Sequence, residues 1–212
     1  MIYRHDSWST GNLPDQVYNY LSNFIPDIAY EAATGTMTFF DKFAFSIIPN
    51  NNWPTLSLTY GSNTITWNAE VMTWEKDVYF VLTDVFMQLK IYFPNYGQRW
   101  MIISYIKTAD GRYYAGGSVN SQTEYTLYNT PYYDIQDTVV TQYNFPKVIN
   151  FSADPGKIVY AEKTPLVHND SGIAFFDNIY SCSTVPLRST VSIGNDNYLA
   201  VDTNNLILIP NE

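Results

Sequence analysis

The stretch TLSLTYGSNTITWNAEV, residues 55–71, alternates apolar and polar residues twice about a turn. Leu56, Leu58 and Tyr60 interleave with Ser57 and Thr59, and after Gly61-Ser62-Asn63 the alternation returns as Ile65, Trp67, Ala69 and Val71. A period of two puts one set of side chains on a core and the other in water, and glycine supplies the backbone freedom of a tight connection. These residues therefore read as an antiparallel hairpin. Runs of the same kind recur along the chain, so the expected class is mainly β with one or two helices, α+β being the neighbouring possibility. The expected architecture is an antiparallel β-sandwich or barrel-like domain with a long extended arm, residues 1–212 forming a single domain.

Working outward, residues 101–107 and 112–115 flank Ala109-Asp110-Gly111, a second hairpin signal, with Gly116-Gly117 expected to end its second strand. Residues 14–25, PDQVYNYLSNFI, set Val17, Leu21, Phe24 and Ile25 at helical spacing; Pro14 and Asp15 suit a first turn and Pro26 stops it. Residues 73–93 carry a helical stripe of Val78, Leu82, Val85, Leu89 and Phe93. Apolar Tyr79, Phe80, Met87 and Ile91 stand on the other side. Thr73 as a cap and Pro94 as a stop favour a helix apolar all round. Residues 118–151 are polar and aromatic without core patterning and read as an extended loop or arm, with a short strand near 137–143. Strands are expected again at 157–162, 173–176 and 179–182, and a C-terminal hairpin over 179–210.

Hydrophobic residues make up 46% of the 212 and charged residues only 15%, against about 25% in ordinary soluble domains, so hydroxyls and amides supply much of the polarity, 19 tyrosines among them. The net charge of −9 disfavours a phosphate backbone or an anionic membrane as partner, because both are gripped by clustered cations. A single cysteine, Cys182, forms no internal disulfide, and the start MIYRHDSWSTGN has no apolar signal region, so folding in a cytoplasm is expected. Asn150-Phe151-Ser152 and Asn169-Asp170-Ser171 match the glycosylation acceptor pattern by chance on that reading.

Little in the chain points to chemistry. The histidines are His5 and His168, without the spacing of a zinc or iron site. A nucleophile needs an adjacent base, and the nearest approach joins Cys182 or Ser171 to His168 and Asp170; a buried strand thiol and a turn histidine are the plainer assignments. Gly116-Gly117 does not open a helix, so a phosphate cradle lacks its N-terminus. No catalytic residue, metal or cofactor is assigned.

The segment YSCSTVPLRSTVSIGNDNYLAVDTNNLILIP, residues 180–210, resembles the closing β-hairpin of many small virion proteins of tailed bacteriophages. The shared features are a short strand, Val-x-Ile-Gly at 191–194, an aromatic residue at Tyr198, a step from Val201 through Asn205 to Leu206, and an aliphatic-Pro finish. The resemblance covers about a seventh of the chain. It implies a structural component of the head, neck, tail or baseplate, made in the host cytoplasm and placed in the virion, contacting other virion proteins as a homo-oligomer or ring. The expected interface combines strand edges with aromatic rings: Tyr125, Tyr128, Tyr132, Tyr133 and Tyr143 on the arm, and Leu206, Ile207, Leu208 and Ile209 in the terminal strand. An internal alternative makes 206–209 a central strand covered by the helix expected over 73–93. The alternative function is a glycan- or receptor-binding β-sandwich module, in which exposed Trp and Tyr beside Asn and Asp hold the sugar.

Overall fold

The structure is a computed structural model describing residues 2–48, 55–68, 75–94, 99–120, 130–144, 161–168, 171–182, 186, 189–193, 195–200 and 205–209. The chain forms two compact units, Ile2–Tyr125 with Tyr132–Thr141, and Gln142–Glu212 with Thr126–Pro131, where the sequence reading expects one domain.

The larger unit begins with β1 (Ile2–Trp8) and α1 (Leu13–Leu21). Pro14 sits in the first turn of α1 with Asp15 beside it, and Val17 and Leu21 turn inward as the spacing predicts, joined by Leu13; the helix ends at Leu21, short of the expected Ile25, and Phe24 and Ile25 lie beyond it. Then follow β2 (Ile28–Glu31), β3 (Thr36–Phe39), β4 (Phe43–Ile48), β5 (Thr55–Tyr60) and β6 (Asn63–Asn68), a five-stranded antiparallel meander. The opening hairpin is present, with Tyr60 opposite Asn63 across Gly61-Ser62 and Gly61 at positive φ. A second antiparallel sheet runs in the order β1, β7 (Lys76–Leu82), β8 (Phe86–Phe93), β9 (Arg99–Lys107), β10 (Tyr113–Asn120), β11 (Tyr132–Asp134). Phe39, Phe43, Phe45, Leu56 and Leu58 of the first sheet meet Phe80, Leu89, Ile91, Ile103 and Tyr105 of the second in one apolar core. This is a β-sandwich, the class the alternating runs predict.

Residues 76–93 are a hairpin, not the expected helix. Thr83 turns the chain: its hydroxyl accepts the N–H groups of Val85 (3.3 Å) and Phe86 (3.0 Å), and its own N–H donates to the Phe86 carbonyl (2.8 Å). The sequence misleads here because β8 is covered on both faces, with Met87, Gln88, Leu89, Lys90 and Ile91 all buried, and a strand buried on both sides loses its alternation. Thr73 lies outside the described residues.

Gly116-Gly117 does not end β10, which continues to Asn120. A Cβ on Gly117 would lie 3.0 Å from Trp67 Cζ3 and 3.2 Å from Leu56 Cδ2, so the glycine lets the two sheets approach closely. The expected arm is also shorter than predicted. Residues 118–120 belong to β10, and β11 pairs with that strand, Ala115 opposite Tyr133 and Gly116 opposite Tyr132. Residues 121–129 and 145–151 of the expected arm lie outside the described residues.

The smaller unit contains β12 (Gln142–Tyr143), all that forms of the strand expected near 137–143, and a five-stranded antiparallel sheet. Its order is β13 (Ala161–His168), β14 (Ser171–Cys182), β17 (Asn205–Ile209), β16 (Asp196–Ala200), β15 (Thr190–Ile193). The runs at 173–176 and 179–182 are one strand, β14; of 157–162 only 161 and 162 are described, in β13. The terminal segment is more than a hairpin, since β15 and β16 form one and β17 returns between β16 and β14.

Candidate functional site: open edges and a ring-lined groove

Two of the residues expected at a partner surface lie in the interior. Tyr132 is completely buried, its hydroxyl 3.0 Å from Ser104 Oγ, which itself donates to the Met87 carbonyl at 2.7 Å. Tyr133 is buried against Trp67, 6.3 Å between rings, and burial raises its phenol above the ordinary range. Both are core rings, a correction that follows from β11 joining the sheet. Tyr143 is half-buried in β12, and Tyr125 and Tyr128 lie outside the described residues. Leu206, Ile207, Leu208 and Ile209 are not at an edge: Leu206 and Ile207 are registered with Tyr180 and Ile179 on one side and with Ala200 and Leu199 on the other, while Leu208 faces Tyr198 and Ile209 faces Asn197.

The register also separates Cys182 from His168. Cys182 pairs with Ala161 and His168 with Ser171, at opposite ends of the β13–β14 hairpin, roughly 20 Å apart at 3.3 Å per residue. That pair is no nucleophile and base. His168 and Ser171 are register partners, and Asp170 lies outside the described residues. Among the described residues, no three of His, Cys, Asp and Glu are grouped to hold a metal ion, and no helix is long and apolar enough to cross a membrane.

The edges differ in how far they are protected. Unpaired N–H and C=O groups on an edge strand invite another strand, and proteins blunt this with charge, proline, bulges or short length. β1 carries Arg4, His5 and Asp6. β2 has four residues and ends on Glu31, and β15 also has four. β13 contains Pro165, and its register breaks on both sides of Pro165–Leu166. β6, NTITWN, has none of these devices: it is six residues long, uncharged, free of proline and in unbroken register with β5. Ile65 and Trp67 pack against the core, and Thr64, Thr66 and Asn68 are exposed.

Between the end of β1 and α1 lies a groove of about 420 Å³ lined by Ser7, Trp8, Ser9, Gln16, Asn19, Tyr20 and Asn23. Helical spacing builds part of its wall: Gln16, Asn19 and Tyr20 follow i, i+3 and i+4 on α1, away from the buried Val17 and Leu21, and Asn23 stands in the turn just past the helix. The Trp8 ring meets Tyr20 edge-on at 5.2 Å. Tyr20 donates its hydroxyl to Asp6 Oδ2 at 2.6 Å; burial first, and that bond second, raise its phenol well above the usual range. Gln16 donates to the Ser9 carbonyl at 3.0 Å and accepts from the ammonium of buried Lys76 at 2.9 Å. Desolvation lowers the Lys76 amine below its ordinary range. The amide spacing on the polar face of α1 is the signal in the sequence from which this wall could be found.

A second hollow of about 430 Å³ is lined by Pro26, Asp27, Ile28, Ala29, Phe40 and Asp41. Phe40 and Asp41 both take φ 54°, a left-handed turn that a bulky ring rarely adopts. The Phe40 ring accounts for it by stacking on Tyr113 at 5.2 Å and meeting Tyr105 edge-on at 5.5 Å, so the hollow's aromatic side faces the core.

Compared with known proteins, the chain matches no family model, no curated protein and no solved structure.

Proposed function

We propose that the chain is a non-enzymatic structural protein of a tailed-phage virion, joining neighbouring subunits by strand addition at an open sheet edge. The observation that carries this reading is β6, whose edge has no charge, proline, bulge or short length to deter a neighbour. The surface composition supports it, since few charges must lose their water when two such surfaces meet. The resemblance of residues 180–210 to virion proteins supplies the setting. Tyr132 and Tyr133 are buried and 206–209 lie in the middle strand of their sheet, so the proposed contact is at the sandwich edge instead. The test is to purify the particles made by the genome encoding this chain and identify their proteins by mass spectrometry. The chain is expected in intact particles at several copies each; its absence from particles that contain every other structural protein overturns the reading.

A further inference from the structure

We propose that the groove between β1 and α1 is a binding site for a neutral saccharide, with Trp8 as the stacking surface and the amides of Asn19 and Asn23 as the hydrogen-bonding rim. This goes beyond assembly at β6 and does not rest on it. The class of ligand follows from what the groove offers. Its floor and walls are already held: Gln16 between the Ser9 carbonyl and Lys76, Tyr20 by Asp6, Ser7 by Asp77 at 3.0 Å. A site whose walls are fixed before binding loses little freedom when a ligand arrives.

The polar groups still open to a ligand are the Asn19 side chain, the Asn23 carboxamide oxygen, the Ser9 hydroxyl and the Trp8 indole N–H. Asn23 spends its amide nitrogen on the Asn19 carbonyl, 2.6 Å away. These groups are uncharged, and they include both donors and acceptors. The lining residues themselves are all uncharged. Of the charged groups described beside them, Asp6 accepts from Tyr20, Asp77 from Ser7, Lys76 is buried against Gln16, and Arg4 lies over the Phe24 ring at 5.3 Å. An aromatic ring set beside mixed amide and hydroxyl groups matches a pyranose, which presents an apolar C–H face and a rim of hydroxyls that both donate and accept. A volume of about 420 Å³ accommodates one or two sugar rings.

The test uses the whole chain on an array of neutral and acidic oligosaccharides, followed by saturation-transfer NMR with the best neutral hit. Two variants accompany it, Asn19→Ala at an exposed position and Trp8→Leu, each checked for unchanged circular dichroism. The expected result is binding to neutral glycans, weakened at least tenfold in Asn19→Ala and lost in Trp8→Leu. Should Trp8→Leu fail to fold, Asn19→Ala with Asn19→Asp decides alone, and both must weaken binding. No neutral glycan bound, binding only to acidic glycans, or binding untouched by the Asn19 variants overturns the proposal. A β6 edge variant should bind sugar normally, which separates failure here from failure of the assembly reading.

Discussion

Tyr132 shows how a single residue changes meaning once its neighbours are known. In the sequence it stands in a polar, aromatic stretch and reads as a surface ring; in the fold it is sealed inside with its hydroxyl against Ser104. Tyr132→Ala should therefore cost about 3–5 kcal/mol, the range for deleting a buried aromatic ring. Tyr132→Phe should cost only about 1 kcal/mol, since Ser104 keeps its bond to the Met87 carbonyl. Denaturant unfolding of the two variants checks both values. A three-residue strand such as β11 has too few positions to show a period, which is why this burial was not legible. The alkaline limb of stability is also set by single residues. Desolvation, aided by the bond to Asp15, pushes the Tyr30 phenol up to about 12 from an ordinary 10.0. Between those values the unfolded chain has released this proton and the folded chain has kept it. The contribution is therefore complete below pH 10 and is lost as pH rises towards 12. Tyr30→Phe should flatten the fall in denaturation midpoint between pH 10 and 12; an unchanged slope would remove Tyr30 from this role.

Among the elements, those with one wet face were legible and those without were not. β5 and β6 alternate cleanly because the sandwich covers one side, and α1 announces itself through Pro14, Asp15 and the Val17–Leu21 spacing. β8 hid behind a helical stripe because it is covered on both faces, and Gly117 read as a stop when its absent side chain makes room for Trp67 and Leu56. Gly117→Val should force the sheets apart and cost about 1–3 kcal/mol, measured by chemical denaturation. The terminal run, Leu206 to Ile209, shows no alternation in the sequence to mark its faces. Central placement of β17 predicts that Ile207→Pro, which removes a donor from a strand paired on both sides, unfolds the smaller unit, seen as lost amide protection in β14 and β16 by hydrogen exchange. Protection that survives the proline would place β17 elsewhere. The groove was half legible: Gln16, Asn19, Tyr20 and Asn23 share a helix face in the sequence, but their meeting with Trp8 depends on β1 entering the sheet beside β7.

At the scale of the whole molecule, the proposed work is done by backbone groups at an edge, and side-chain acids and bases stand aside from it. A charged residue on an edge strand deters pairing without disturbing the core, provided its side chain points to water. Thr64 and Thr66 meet that condition on β6. The measurement is the solution mass, by light scattering after size exclusion, of the native chain and of the double variant Thr64→Lys, Thr66→Lys. The native chain is expected at a multiple of the single-chain mass and the double variant at the single-chain mass, both with the same circular dichroism. A native chain that stays single at every concentration, or a double variant that associates as fully as the native chain, would contradict the claim that β6 is where subunits join.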